Sequence, residues 1–230
     1  MKLKPVNENS VIIYFSDKVS IETADKVSQV YHLLKVDLKD ILVDITPSYT
    51  SILLSCDLRK TGLRGFMNLL QQILININNQ PPAKKVSNRI TLPVYYGEDV
   101  AWDHQEVSDY TKLPFSEIIS LHTAMNYRVF AIGFAPGFAY LGNTNPVMAM
   151  PRKSNPRKAI PKGSVAIADQ QTAIYPDRSP GGWQIIGRTP VDLFDITQPN
   201  LSKFEMGAEV RFEAIDRNTF LAMGGKLDAQ

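Results

Sequence analysis

From Val129 onward the chain loses helical periodicity and becomes a series of short apolar runs separated by Gly- and Pro-containing turns. The runs fall at 129–132, 164–167, 172–175, 184–187, 191–194 and 209–212. Strands this short, alternating with Gly/Pro turns and with almost no helical signal between them, are typical of a barrel or a sandwich. This pattern constrains the fold more than any other feature.

The earlier part reads differently. Val11-Ile12-Ile13-Tyr14-Phe15 is a strand, and Ser20 is placed to cap a helix in which Ile21, Ala24, Val27, Tyr31 and Leu34 recur at helical spacing. The runs 41–45 and 51–54 flank Thr46-Pro47-Ser48-Tyr49, which has turn chemistry, so the two should pair as a hairpin. A second helix is expected over 63–77, with Phe66, Leu69, Leu70 and Ile73 along one side. The order β-α-β-β-α is most of a ferredoxin-like unit, whose last strand must come from a terminal segment or from 89–95. Residues 78–82 are polar and end in Pro81-Pro82, which places a domain boundary there: 1–82 as an α+β domain and 83–230 as a second domain. The second domain opens with a strand over 90–96, in which Pro93 suggests an edge or a strand end. Two short helices follow, over 103–110 and 114–123.

Composition narrows the function classes. With 230 residues, 44% apolar and 21% charged, the chain can bury a proper core, and its net charge of +2 offers no general pull toward nucleic acid or membrane. No apolar stretch reaches the length of a membrane span, and Met1-Lys2-Leu3-Lys4-Pro5 lacks the apolar run of a secretory signal, so a cytoplasmic location is expected. Cys56 is the sole cysteine, and His32, His104 and His122 show no paired metal spacing, so no metal is expected. Phosphate-binding, dinucleotide-binding, nucleophile-elbow and zincin motifs are all absent.

Three segments carry candidate chemistry. Gly133-Phe134-Ala135-Pro136-Gly137-Phe138-Ala139-Tyr140-Leu141-Gly142 combines tight-turn residues with aromatic rings, either as a plain strand corner or as a rigid ligand platform. Just before it stand His122 and Arg128, a proton carrier and a carboxylate-binding cation by residue type, or equally a core histidine and a structural ion pair. The segment 151–163 holds Arg152, Lys153, Arg157, Lys158 and Lys162 among three prolines, which makes it a stiff positive loop: a solvated face or a grip for phosphate or carboxylate. Finally Gln171 leads a strand, and Ser179-Pro180-Gly181-Gly182-Trp183 is a turn presenting an aromatic ring, either a plain hairpin or a site whose free backbone N–H groups suit an anion or oxyanion.

Taken in order and spacing, GFAPGFAYLG, MPRKSNPRKAIPKGSVAIA, QTAIYP and SPGGWQIIGRTP resemble the allophanate hydrolase subunit 1 / KipI family, and LHTAMNYRV and DITPSYTSILL extend the resemblance over nearly the whole chain. The resemblance implies an N-terminal ferredoxin-like α+β domain followed by a cyclophilin-like β-barrel domain. It implies a part in ATP-dependent cleavage of 5-oxo-L-proline to L-glutamate, with ATP as co-substrate, together with the C (KipA-like) and A subunits of 5-oxoprolinase, the isolated chain being inactive. Other family members imply two alternatives, an inhibitor of a sensor histidine kinase or half of a biotin-dependent carboxyltransferase. On this view His122 and Arg128 are catalytic. Phe134, Pro136, Gly137, Phe138, Arg152, Arg157, Lys158, Gln171, Gly181, Gly182 and Trp183 bind substrate or partner. One departure stands out: Asp169-Gln170 and Ala173 occupy positions where the family usually has glycine.

Overall fold

The computed structural model describes residues 1–78, 89–198 and 201–227, and the chain divides into two compact units, Met1–Val86 and Ser87–Gln230. The boundary expected at 79–82 lies outside the described residues.

The first unit contains β1 (Lys2–Pro5), β2 (Ser10–Tyr14), α1 (Ile21–Asp37), β3 (Leu42–Pro47), β4 (Ser51–Cys56) and α2 (Leu63–Asn78). Ser20 caps α1 as expected, its side chain accepting from the Thr23 N–H. β3 and β4 form the anticipated hairpin, with Ser48 N–H donating to Ser51 O across the turn. The sheet order is β1-β2-β4-β3. The strand that completes the ferredoxin-like unit is therefore the terminal segment Lys2–Pro5, which its polar sequence had hidden, while Arg89–Tyr95 belongs to the second unit. Val11, Ile13, Ile52 and Leu54 from the sheet and Ala24, Val27, Leu34, Phe66 and Leu70 from the helices are buried as its core.

The second unit opens with β5 (Arg89–Tyr95), α3 (His104–Thr111) and α4 (Phe115–Ala124). It continues through β6 (Asn126–Ile132), β7 (Ala139–Gly142), β8 (Arg157–Ile160), β9 (Ser164–Ala168), β10 (Gln171–Ile174), β11 (Ser179–Gly181), β12 (Gln184–Arg188), β13 (Glu209–Ile215) and α5 (Arg217–Ala222). Seven strands close into a barrel in the order β10-β7-β6-β13-β5-β12-β9, and β8 and β11 form a separate two-stranded ribbon. This is the cyclophilin-like barrel that the resemblance implied. Pro93 sits within β5, near its end. β5 pairs with β13 along its whole length but meets β12 only at Tyr95↔Arg188, so the missing proline N–H costs no ladder bond there. The strand expected at 191–194 is not formed. Instead Asp195 N–H donates to Leu201 O and Lys203 N–H to Leu193 O, so this segment closes on itself as a loop with a single Phe194↔Ser202 bridge.

Strand alternation puts two sets of side chains on opposite faces of the barrel wall. Tyr127, Val129, Leu141, Val165, Ile167, Ile174, Ile186, Val210 and Phe212 belong to the main core cluster. Their neighbours Ala166, Ala168, Ala173, Tyr175 and Ile185 join Phe138, Ile160 and Trp183 in a second apolar cluster. β9 and β12 are buried at every position, because the wall is packed on both faces. Among the described residues no helix is long and apolar enough to cross a membrane.

The turn into β9 depends on Gly163. Its φ is +81°, and a Cβ there would lie 2.4 Å from the Thr189 carbonyl oxygen, a backbone atom that cannot swing aside. Gly163→Ala therefore combines left-handed strain, about 1 kcal/mol, with an overlap costing about 1–3 kcal/mol. Denaturant unfolding should show a loss of about 2–4 kcal/mol. A midpoint equal to that of the wild type would contradict this turn geometry.

Candidate functional site

The candidate residues sort by which face of the barrel wall carries them. On β6, β7 and β10 the register aligns Arg128 with Gly142 and Gly142 with Gln171. In-register partners project to the same face. Leu141 and Val129, next to them in sequence, belong to the main core. Arg128, Gly142 and Gln171 therefore form a row on the outer face. Gly142 leaves the middle of that row free of a side chain, and a Cβ there would meet the Phe130 ring at 3.0 Å. Two residues further along each strand, on the same face, stand Tyr140 and Ala173.

Beyond this row lies the aromatic cluster. Phe138 is its hub, with ring centroids 5.0 Å from Tyr140, 5.5 Å from Tyr175, 6.0 Å from Trp183 and 5.2 Å from Phe134. The loop that brings Phe138 here is stapled by Gly133 N–H to Phe138 O and by Phe138 N–H to Ala135 O. Gly137 has φ +82° and passes so near Phe194 that a Cβ would lie 2.8 Å from the Phe194 Cβ. Phe134 also adopts a left-handed φ, 76°, with its ring 62% exposed at the loop tip beside Pro136. A non-glycine residue in that region carries strain of the kind concentrated at binding loops.

The basic segment is pinned rather than free. Asp103, at the start of α3, is 3% exposed; its carboxylate accepts from both terminal nitrogens of Arg157 (2.6 and 2.8 Å) and from the Ile185 N–H (2.7 Å), and pairs with Lys153 Nζ at 2.8 Å. Burial pushes this carboxyl up, but the hydrogen bonds from Arg157, Lys153 and the Ile185 N–H outweigh it and hold the group below the usual carboxylate range. Lys153 also bonds Glu106, and Lys162 pairs with Asp192. Arg157 lies over the Trp102 ring at 5.6 Å. Arg152 lies over Trp183 at 5.5 Å, and among the described residues no carboxylate pairs with it. Lys158 is exposed on β8, apart from the aromatic cluster. Gly181 and Gly182 serve close approach: a Cβ at Gly181 would fall 2.2 Å from the Tyr175 hydroxyl, and Gly182 O accepts from the Lys153 N–H.

His122 departs from its expected place on the wall of the site. It is fully buried, its ring stacked on Phe212 at 4.5 Å among the main core residues. The Thr172 hydroxyl donates to Ala166 O, so it accepts from His122 Nε2–H at 2.9 Å, and Nδ1 accepts the Tyr96 hydroxyl proton at 2.8 Å. Both ring nitrogens are thus satisfied and the tautomer is set by its neighbours. Burial drives the pKa down to about 3, so the ring is neutral near pH 7. It ties α4 to β10 from within and shuttles no proton to the outer face.

The structure therefore brings Arg128, Gln171, Phe134, Pro136, Gly137, Phe138, Gly181, Gly182, Trp183, Arg152 and Arg157 to one side of the barrel wall, with Lys158 at its margin and His122 inside. Tyr140, Tyr175, Trp102 and Asp103 also belong to it, although the sequence did not mark them as site residues. Tyr140 and Tyr175 lie within the family motifs, whereas nothing local distinguishes Asp103 from an ordinary helix cap. Of two cavities of about 510 and 610 Å³, the first, at Val191, Phe194, Leu201 and Lys203, borders the Gly137 loop through Phe194, and the second lies at Thr91, Thr123, Arg211 and Glu213. Asp169, one of the departures, has φ 50°, the left-handed conformation that explains why glycine suits that position. Ala173 is fully buried beneath the aromatic cluster. Among the described residues no group of three or more His, Cys, Asp or Glu side chains could hold a metal ion.

A ferredoxin-like unit followed by a cyclophilin-like barrel, with the candidate residues on the barrel's outer wall, defines a class of protein that comparison with known families makes specific. The chain belongs to the family described as carboxyltransferase domain, subdomain C and D, which matches residues 1–204. Its relatives include the 5-oxoprolinase B subunit of Bacillus subtilis (strain 168), 30% identical over 233 residues, covering 96% of this chain and 95% of that protein. The 5-oxoprolinase B subunit of Haemophilus influenzae (strain ATCC 51907 / DSM 11121 / KW20 / Rd) is 41% identical over 123 residues, 54% of this chain and 58% of that protein. Among solved structures, the crystal structure of TTHA0988 superposes with a TM-score of 0.79 at 27% identity; the match covers 97% of this chain but only 41% of TTHA0988.

The buried histidine makes a pH prediction. In the unfolded chain it binds a proton below about pH 6.5, whereas in the fold it does so only near pH 3, so acid favours unfolding. Its contribution should be fully present above about pH 6.5 and fall by about 1.4 kcal/mol per pH unit below that. The stability advantage of wild type over His122→Gln, from urea titrations at about pH 7.5 and about pH 5, should shrink by about 2 kcal/mol. An advantage that does not change with pH would show that the imidazole is accessible or charged.

Proposed function

We propose that this chain is the B component of an ATP-dependent 5-oxoprolinase, which opens the lactam of 5-oxo-L-proline to L-glutamate together with the C and A subunits. The observation that carries this reading is the match along nearly the full length of both chains to the 5-oxoprolinase B subunit of Bacillus subtilis. The outer wall of the barrel suits the chemistry. A lactam is an unreactive amide, and transfer of the ATP γ-phosphoryl group to its oxygen would make the ring carbon open to water. Such a transfer needs positioning and positive charge more than a protein nucleophile.

The wall offers part of that. Half-buried Gln171 offers a polar group on that wall, in register with Arg128 across Gly142, where the Phe130 ring packs, and the aromatic cluster supplies an apolar back. It does not offer a cradle for a triphosphate. Three of the five cations in 151–163 are spent on Asp103, Glu106 and Asp192. ATP is the co-substrate of the assembled complex, and the C subunit provides the rest of its site across the exposed Phe134 loop.

Mixed with the C and A subunits, the chain should release glutamate from 5-oxoproline only when ATP is present, and alone it should release none. Gln171→Leu, at a half-buried position, should lower turnover on the order of tenfold or more while leaving assembly intact. Glutamate release by the chain alone, or full turnover by the Gln171→Leu complex, would contradict a site shared between the B and C subunits.

A further inference from the structure

We propose that Arg152, lying over Trp183, receives the carboxylate of 5-oxo-L-proline, with Tyr140 beside it as the apolar wall for the lactam ring; this rests on the oxoprolinase reading and assigns one substrate group to one side chain. Of the five cations in 151–163, Arg157, Lys153 and Lys162 are held by carboxylates of this chain. Lys158 lies away from the rings on the exposed side of β8. Within that segment Arg152 alone combines exposure, an aromatic support and no carboxylate partner among the described residues.

The geometry of the support matters. A guanidinium has a flat face and an edge carrying five N–H groups. The Trp183 ring centroid lies 5.5 Å from the guanidinium carbon, within cation–π reach. Among the described residues no carboxylate takes its N–H groups, and the contact with the ring restricts the side chain before a ligand arrives, which lowers the entropy cost of binding. Trp183 is in turn fixed, 4% exposed and packed between Phe138 and Tyr140, each with its ring centroid 6.0 Å away. The backbone just before it is held by the Lys153 N–H to Gly182 O bond on the residue next to Arg152. A carboxylate meeting that edge makes two parallel charge-assisted hydrogen bonds. The two methylenes of the lactam then fall against Tyr140, which is half-buried and so presents part of its ring.

A phosphate chain is a poorer guest at this spot. ATP brings several negative charges close together, and the cations that would balance them, Arg157 and Lys153, are already neutralised by Asp103 and Glu106. One free guanidinium beside aromatic rings fits a single carboxylate on a small, partly apolar ring.

The test uses the complete complex and the full chain. In the complex, Arg152→Ala should raise KM for 5-oxoproline on the order of 10- to 100-fold and leave KM for ATP unchanged, and Arg152→Lys should recover part of the loss. Because Arg152 is exposed, circular dichroism should confirm that the variant keeps its fold. In the chain alone, Trp102 and Trp183 are the two tryptophans present and both belong to this cluster, so intrinsic fluorescence reads the site directly. 5-Oxo-L-proline should change it, and 2-pyrrolidinone, the same lactam without the carboxylate, should not; Arg152→Ala should abolish the response. An active complex whose KM for 5-oxoproline is untouched by Arg152→Ala, or whose KM for ATP rises instead, overturns the assignment and leaves the oxoprolinase reading in place. A complex that makes no glutamate, while the chain still shows the Arg152-dependent response, overturns the oxoprolinase reading alone. No response and no activity together overturn both.

Discussion

Closure of the barrel is the constraint from which the rest follows. Once the seven strands join, their inward side chains fill the interior, and the buried imidazole among them, His122, is neutral with both nitrogens satisfied. It is not left free to act on a ligand. The other candidate residues lie on the outer face, where period-2 alternation delivers the other half of each strand. That is why Gln171, Ala173 and Tyr175 stand together outside while Thr172 and Ile174 pack within.

The outer face is in turn organised by one buried carboxylate. Asp103 gathers Arg157, Lys153 and the Ile185 N–H, and so joins α3, the basic segment and β12 at a single point. Removing a partner from such a cluster leaves uncompensated buried charge, which is why ion pairs of this kind act as strict locators even when their net contribution to stability is modest. As a result, two cations that look available in the sequence are consumed in holding the loop. What remains is Arg152 on its tryptophan, and a strained, exposed Phe134 at the tip of the neighbouring loop.

Much of this could be read from residues. The change of periodicity at Val129 announced a domain built of strands, barrel or sandwich, while Ser20 announced its helix and the turn at Pro47 the hairpin, because each is a local signal; the barrel itself was named by the family resemblance. The failures share a cause. β1 has the sequence Lys-Leu-Lys-Pro and shows no apolar alternation, so only its partner β2 makes it a strand. The run 191–194 has a strand's composition, but its backbone groups find partners a few residues away at 201–203. Asp103 meets Arg157 across 54 positions, and His122 meets Thr172 across 50, separations at which no periodicity or spacing informs. A histidine close to an arginine reads as a catalytic pair in sequence; the fold sends one into the core and the other to the outer face.

The outer wall from β6 to β12, and not either of the two cavities, is on this reading the working surface of the protein. Hydrogen–deuterium exchange of the chain, free and then in complex with the C subunit and 5-oxo-L-proline, tests this most directly. New protection should concentrate in the backbone of 133–142, 151–158 and 171–175. Protection confined to 191–205, or to the face of β5 and β13 around Thr91 and Arg211, would contradict it.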